Sequence, residues 1–227
     1  MMRFNRFIVI RSLCLAAMIC PVISMAQSTD SIRMKGLPYG MFWENKPKAY
    51  RISKDSLIID SGPKTDMFRD PNVTYNTDNA PKLMFRADEH FVLTANIHHA
   101  FASKWDGGAL VIKTDSLNWI KFCFEKDYTG ARRIVSVATN NISDDANHVA
   151  SSKNAAWFKV AKADNVITLY VSDDGKKWLL VRHLQFNSSQ KPLIGFLAQS
   201  PTGNNCRVTF SKIRYMAVKI KDPYAGE

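Results

Sequence analysis

Residues 119–125 read WIKFCFE, and apolar and polar side chains alternate along them. Side chains of a β-strand point alternately to the two faces of a sheet. Trp119, Lys121, Cys123 and Glu125 therefore share one face, while the isoleucine and the two phenylalanines between them share the other. The phenylalanine face predicts a hydrophobic core. The opposite face carries an indole, an ammonium group and a carboxylate, and we expect function on that face.

A second segment repeats the start of this pattern. Trp157 and Lys159 again lie opposite an apolar residue, Phe158. The repetition predicts two neighbouring strands that share one polar face. On such a face Trp119 and Trp157 would form the floor of a single groove, since an indole packs well against the apolar face of a sugar ring.

The chain after residue 27 alternates with a period of two and lacks helical periodicity. Turn residues separate the alternating segments; Asp173, Asp174 and Gly175, for example, predict a hairpin turn. Strands about every 8–12 residues indicate an all-β sandwich or barrel. The predicted strands cover residues 49–52, 56–60, 83–86, 91–100, 108–114, 119–125, 134–139, 156–161, 166–172, 178–185, 193–199 and 208–218.

Residues 1–26 have the pattern of a secretory signal peptide. Two arginines precede an apolar run, and the tripeptide SMA that ends at Ala26 is a small-x-small cleavage pattern. We predict cleavage after Ala26, a secreted or periplasmic location, and one domain over residues 27–227. The run is shorter than the about 20 residues of a membrane span. A lipoprotein anchor at Cys20 is disfavoured because Pro21 follows it.

The formal net charge is +11, from 31 Lys and Arg against 20 Asp and Glu. The cations are scattered, which is typical of a solvated surface, so we predict no nucleic-acid partner, while a modest attraction to acidic glycans stays open. No later run is apolar enough to span a membrane. Cys123 and Cys206 either pair, which export permits, or remain free thiols. Metal-type Cys/His spacing is absent, so we predict no cofactor and no metal site.

Short motifs follow one another in a specific order along the chain. They are TDMF at 65–68, NAP at 79–81, FVLTA at 91–95, WDGGALV at 105–111, NWIK at 118–121, VSV at 135–137, WFKV at 157–160, SDDGKKW at 172–178 and GFLAQSP at 195–201. Together they resemble the "regulation of enolase protein" family, over roughly residues 40–215. The resemblance implies a concanavalin-A-like jelly-roll sandwich of two antiparallel sheets, one of them concave. It also implies a ligand groove on the concave sheet, as in lectins and glucanases of that superfamily.

Superfamily members often bind structural calcium on loops, and the resemblance makes Asp144, Asp145 and Asn147 the candidate cluster for such an ion. The candidate carbohydrate-binding residues are aromatic, charged or imidazole side chains on or beside the polar face: Trp119, Lys121, Trp157, Lys159, Tyr170, His98 and Asp106. The alternative for this face is an amphipathic surface with an ion pair between Glu125 and a lysine, worth about 0–1 kcal/mol. Asp106 lies in a Gly-rich turn, where it would instead cap backbone amides.

Glu125 is the candidate catalytic acid or base. Glycoside hydrolysis normally needs two carboxyl groups, about 5–5.5 Å apart for retention of configuration and about 6.5–9.5 Å for inversion. The Glu-x-Asp-x-x-Glu strand typical of retaining glucanases in the superfamily is absent, and Glu125 has no acidic partner on its own strand. The remaining candidates for a partner are Asp106, Asp127, Asp144 and Asp145.

Three functions follow from these observations. The first is an exported carbohydrate-binding protein that uses a groove on the concave sheet. The second is a glycoside hydrolase, or a related carbohydrate-active enzyme, with Glu125 as the acid or base. The third is a non-catalytic module that binds another protein.

Overall fold

The computed structural model describes residues 31–187 and 191–227, and within these ranges it contains 16 β-strands and no helix. Fourteen strands form two seven-stranded sheets, and the other two form a small hairpin. Neighbouring strands in these sheets run antiparallel. The prediction of an all-β fold is therefore confirmed. The predicted signal peptide, residues 1–26, lies outside the described residues.

The strands of one sheet, here the front sheet, include the WIKFCFE segment. In spatial order they are β1 (Phe42–Glu44), β6 (Lys82–Arg86), β15 (Leu193–Gln199), β8 (Gly107–Lys113), β9 (Asn118–Lys126), β10 (Arg132–Asn140) and β11 (Ile142–Ser151). The back sheet consists of β14 (Leu179–Gln185), β13 (Val166–Ser172), β12 (Ala155–Ala163), β7 (Phe91–His98), β16 (Arg207–Met216), β3 (Leu57–Asp60) and β2 (Ala49–Ile52).

The main hydrophobic core lies between the two sheets. Phe122 of β9 and Phe158 of β12 are fully buried there, with their ring centroids 4.5 Å apart. Burial of aromatic side chains from both inner faces holds two sheets together as a sandwich. The predicted jelly-roll sandwich of two antiparallel sheets is therefore confirmed, and so is the assignment of the phenylalanines of residues 119–125 to the core.

A second, smaller core covers the outer face of the front sheet. Strands β4 (Met67–Arg69) and β5 (Asn76–Asp78) form a hairpin, and Met67 packs there in one apolar cluster with Trp119 and Cys123. Charged groups fix the hairpin as well, because Asp78 lies 2.6 Å from the ammonium of Lys82 and 3.3 Å from that of Lys113. The polar face on which the sequence predicted a functional groove is thus largely covered by the hairpin.

Cys123 and Cys206, the two cysteines within the described residues, are buried and free, which is one of the two alternatives that the sequence left open. Cys123 belongs to the apolar cluster on the outer face of the front sheet, whereas Cys206 belongs to the core between the sheets, 3.6 Å from a ring nitrogen of His99. Burial raises the pKa of both thiols above its usual range. Each therefore behaves as a small apolar side chain rather than as a reactive thiolate.

Candidate functional site

A cavity of about 510 Å³ opens on the outer face of the front sheet, beside the β4–β5 hairpin. This front cavity is lined by side chains from the sheet, from the hairpin and from the loops at their ends. The residues that matter for its chemistry are Lys121, Glu125, Gln199, Asp66, Asp145, Phe68, Tyr75 and Trp105.

Lys121 lines the front cavity as a buried side chain. Its Nζ donates hydrogen bonds to Oε1 of Gln199 at 2.9 Å and to Oδ1 of Asp66 at 3.4 Å. Burial lowers the pKa of this ammonium, but the nearby negative charges, Asp66 first among them and Glu125 also, raise it by more, so the net pKa lies above its ordinary value. Lys121 is therefore a fixed positive charge with a defined orientation.

Glu125 lies on the same face of β9 as Lys121, four residues further along the strand, and only 7% of it is exposed. Burial raises the pKa of its carboxyl group to about 7; Lys121 opposes this shift, while Asp145 and Asp66 add to it. A carboxyl group with such a pKa holds a proton on a substantial fraction of molecules near neutral pH. Glu125 thus can donate a hydrogen bond or a proton where an ordinary glutamate cannot.

Two further carboxylates line the front cavity, Asp66 and Asp145. Asp66 precedes β4. Asp145 lies on β11, where it pairs with Val137 of β10, which in turn pairs with Lys121. The three strands thus place Asp145 in the same cross-strand row as Lys121, and partial burial raises its pKa. Of the four partners considered for Glu125 from the sequence, Asp145 is the one that reaches this cavity.

Asp106, predicted as a sugar-binding residue, is instead buried in its turn. Its carboxylate accepts hydrogen bonds from the amide of Ser103 at 2.8 Å and from the hydroxyl of Ser200 at 2.6 Å. It therefore caps the turn, which was the alternative role that the Gly-rich sequence offered. The prediction of Asp106 as a ligand contact is wrong because its oxygens are engaged inside the protein.

The other acidic candidates also have structural partners. Asp127 accepts hydrogen bonds from the amides of Thr129 and Ala131 within one turn. Asp144 lies 2.9 Å from Arg182 on the back sheet, whereas its neighbour Asp145 faces the front cavity. Because the two carboxylates leave β11 on opposite faces, they do not form the suggested calcium cluster. No group of three or more His, Cys, Asp or Glu in residues 31–187 and 191–227 is arranged to hold a metal ion.

The rim of the front cavity carries two exposed aromatic side chains. Trp105 and Tyr75 are 39% and 53% exposed. Tyr75 lies beside Phe68, with ring centroids 6.0 Å apart, and the carbonyl of Trp105 accepts a hydrogen bond from Gln199 at 3.1 Å. Sequence reasoning did not assign these rings to the site. The usable signal was the WDGG sequence at residues 105–108, whose glycines begin β8 and whose tryptophan therefore lies just before a strand.

Trp119 does not line the cavity, although it shares a face of β9 with Lys121 and Glu125. It is 1% exposed and packs under the hairpin in the outer apolar cluster. Trp157 lies on β12 of the other sheet, on the opposite side of the sandwich. The predicted groove floor formed by Trp119 and Trp157 is therefore wrong, since the two strands are not neighbours.

The other predicted binding residues lie on the outer face of the back sheet or at its end. The Nζ of Lys159 donates a hydrogen bond to the carbonyl of Gly226 at 2.8 Å, and burial lowers its pKa to about 8. Tyr170 is fully buried, and its hydroxyl donates to the carbonyl of Pro223, so it offers no stacking platform. His98 ends β7 and faces solvent. None of these described side chains lines the front cavity.

A jelly-roll sandwich with a polar cavity on one outer face is the class of protein that these observations define. Residues 43–218 match the family described as "Protein of unknown function (DUF1349)", and the chain belongs to that family. No helix in the described ranges is long and apolar enough to cross a membrane.

Similar proteins agree with this assignment. The chain is 28% identical over 171 residues to "Regulation of enolase protein 1" of Saccharomyces cerevisiae, which covers 75% of this chain and 86% of the yeast protein. It is similar to the structure of a functionally unknown protein from the same yeast, with 26% identity and a TM-score of 0.72 over 78% of this chain and 96% of that one. The resemblance seen in the sequence is confirmed.

A more distant likeness concerns the fold alone. The GH43 protein BlXynB of Bacillus licheniformis superimposes with a TM-score of 0.58 at 14% identity. The match covers 72% of this chain but 33% of that chain, so about a third of the larger protein has the fold described above.

Proposed function

We propose that the front cavity binds carbohydrate and that the chain is an exported carbohydrate-binding protein. The observation that carries this proposal is the combination of exposed rings on the rim with fixed polar groups on the floor. Trp105 and Tyr75 offer apolar surface for the C–H face of a sugar. Lys121, Glu125 and Gln199 offer donors and acceptors for its hydroxyls.

The floor is well suited to hydroxyl groups because its side chains are already ordered. Lys121 is held by Gln199 and Asp66, so a ligand does not have to immobilise it. Protonated Glu125 both donates and accepts hydrogen bonds, as a sugar hydroxyl requires of its partners. The volume of about 510 Å³ falls within the about 300–1,000 Å³ of small-molecule sites. The structural likeness to part of a GH43 protein also supports a carbohydrate ligand.

Calorimetric titration with a panel of neutral and acidic oligosaccharides tests the proposal. We expect Tyr75→Ala and Trp105→Ala each to weaken binding of a sugar held in the front cavity by about fivefold, since a stacked aromatic ring contributes about 1 kcal/mol. Tyr128→Ala is the matched control, because Tyr128 is a similarly exposed tyrosine outside the front cavity. A wild type that binds no sugar would instead favour the protein-interaction module.

Export is tested separately, by sequencing the N-terminus of the protein recovered from the periplasm or the medium. A mature chain that starts at Gln27 is expected.

Glycoside hydrolysis is the second candidate function, and the raised pKa of Glu125 favours it. A carboxyl group with a pKa of about 7 suits a general acid, and Asp66 and Asp145 line the same cavity as possible bases or nucleophiles. In this scheme Glu125 protonates the leaving-group oxygen of the glycosidic bond. The second carboxylate either activates the water that attacks the anomeric carbon, or attacks that carbon itself; in the latter case water, deprotonated by Glu125, then hydrolyses the glycosyl-enzyme bond and frees the carboxylate.

Hydrolysis of nitrophenyl glycosides and release of reducing ends from polysaccharides test this candidate. Glu125→Gln should abolish turnover while sugar binding persists, because glutamine keeps the shape and the hydrogen-bonding capacity of the neutral acid. Activity should fall as the pH rises through about 7 and the acid loses its proton. Wild-type protein that binds sugar without any turnover would leave only the binding function.

A further inference from the structure

A second cavity, of about 890 Å³, lies on the outer face of the back sheet, on the side of the sandwich opposite to the front cavity. We call it the back groove and define it by Trp157, Lys159, Trp178, Lys212, Arg214 and Lys221. Three of its cations follow one another along β16 and the segment after it, and the two tryptophans come from β12 and from the turn before β14.

The back groove is strongly basic. Five lysine and arginine residues line it, against the two acidic residues Asp55 and Glu227. Lys219 is neutralised by Asp164 at 2.6 Å. In the part of the chain that the structure describes, no carboxylate lies within 4.0 Å of the charged nitrogens of Lys212, Arg214 or Lys221. These cations are therefore available to an anionic ligand.

The backbone of β16 presents two of these cations in an unusual way. The register between β16 and β7 shifts between Ser211 and Arg214, which marks a β-bulge, and Lys212 has a φ of 54° within it. A positive φ is unfavourable for a residue with a side chain and is ordinarily taken by glycine. Bulges redirect side chains out of the regular alternation. Here the exposed side chains of Lys212 and Arg214 both line the groove.

The floor of the groove is aromatic and rigid. The ammonium of Lys159 lies 4.1 Å from the ring centroid of Trp178, and its hydrogen bond to Gly226 fixes it there. The hairpin turn packs on the other tryptophan, since a Cβ placed on Gly175 would come within 2.8 Å of the Trp157 ring. One face of each indole is thus already occupied by the protein.

We propose that the back groove binds an acidic polysaccharide, whose carboxylate or sulfate groups pair with Lys212, Arg214 and Lys221 while its sugar rings lie along Trp157 and Trp178. Charge complementarity selects a polyanion. In single-stranded nucleic acids successive bases stack on aromatic rings, and a base needs more open ring surface than the small C–H face of a sugar does. Because both indoles are half-buried, they favour the polysaccharide. The proposal rests on the back sheet alone, so it stands or falls independently of sugar binding in the front cavity.

Binding of the full chain to polygalacturonate, neutral dextran and a single-stranded oligonucleotide, measured at fixed and then increasing ionic strength, tests the proposal. We expect polygalacturonate to bind, dextran not to bind, and the affinity for polygalacturonate to fall as salt is added. An oligonucleotide that binds as tightly as polygalacturonate, or the absence of polygalacturonate binding, overturns the proposal.

Variants locate the site. Lys212→Gly with Arg214→Gln removes two groove charges, and glycine at 212 suits the positive φ, so the fold is retained. We expect a loss of about tenfold in affinity for polygalacturonate, at roughly threefold per contact. Lys46→Gln with Lys48→Gln removes the same charge outside both cavities and should leave the affinity within about twofold. If both double variants lose the same affinity for polygalacturonate, the loss comes from the lower net charge alone, and the back groove is not the binding site. Tyr128→Ala, at an exposed tyrosine outside both cavities, should leave the affinity for polygalacturonate unchanged.

Discussion

The buried carboxyl group of Glu125 makes the stability of the protein depend on pH in a direction opposite to that of an ordinary salt-bridged acid. The folded state raises its pKa from 4.5 to about 7, first through burial and then through Asp145 and Asp66, against the opposing effect of Lys121. Between these two values the folded protein keeps the proton that the unfolded chain releases. Stability is therefore highest below about pH 4.5 as far as this group is concerned, falls as the pH rises, and levels off above about pH 7.

The size of the effect follows from the two pKa values. Their difference corresponds to about 3 kcal/mol at about 1.4 kcal/mol per pH unit. Glu125→Gln imitates the protonated acid and cannot ionise. We therefore expect the stability difference between the variant and the wild type to shift by about 3 kcal/mol in favour of the variant between about pH 4.5 and about pH 8.

Urea unfolding at a series of pH values measures this difference directly, because the linear extrapolation gives the free energy of unfolding at each pH. The ionisable groups that face Glu125 are Lys121, Cys123, Asp66 and Asp145, and they are present in both proteins. Their contributions largely cancel in the comparison. Glu89→Gln removes a surface carboxylate and serves as the control. Wild-type and Glu125→Gln curves that run parallel across this range would refute the raised pKa and with it the role of Glu125 as an acid.

Three further predictions concern the supports of the front cavity, and urea or thermal unfolding measures each. Lys82→Met removes a buried ammonium 2.6 Å from Asp78 and should cost about 1–3 kcal/mol, since Asp78 stays partly solvated; an unchanged stability would mean that these charges do not hold the hairpin. Gly107→Ala places a Cβ 2.7 Å from Sγ of Cys123 and should lower the free energy of unfolding by about 1–3 kcal/mol through overpacking. An unchanged free energy of unfolding would show that β9 can shift away from the added methyl group at little cost. Asp106→Ala leaves the hydroxyl of buried Ser200 without its acceptor and should cost about 1–3 kcal/mol; a silent change would contradict its capping role.

The sequence predicted the fold well because its main signal is local. Alternation along residues 119–125 decides which side chains face the core, and Phe122 and Phe124 are buried there as expected. The same pattern could not tell which sheet a strand joins. The segments at Trp119 and Trp157 look alike, yet one lies on the front sheet and the other on the back sheet, because strand pairing depends on partners far away in the sequence.

The site was harder to predict because its parts come from segments with weak signals. Asp145 lies on β11, an edge strand whose two faces are both partly exposed, so it lacks the apolar alternation that marks a strand and was interpreted as a loop. Asp66, Tyr75 and Trp105 come from loops and from a short hairpin. Their positions follow from how the hairpin lies on the sheet, which is a tertiary feature. Lys121 and Glu125 were identified because they lie on a central strand with a strong pattern.

The hairpin links the stability of the fold to the chemistry of the cavity. Lys121 and Glu125 alternate on β9 with Trp119 and Cys123, so a cover that buries the apolar pair also takes the charged pair out of water. The segment that leads into the hairpin supplies Asp66, which compensates Lys121. A change that opens the hairpin therefore restores water to Glu125 and lowers its pKa towards the ordinary value, even where the sandwich itself stays folded. Titration of Glu125 in Lys82→Met would show this as a lower pKa, which ties the proton on the acid to the closure of the hairpin.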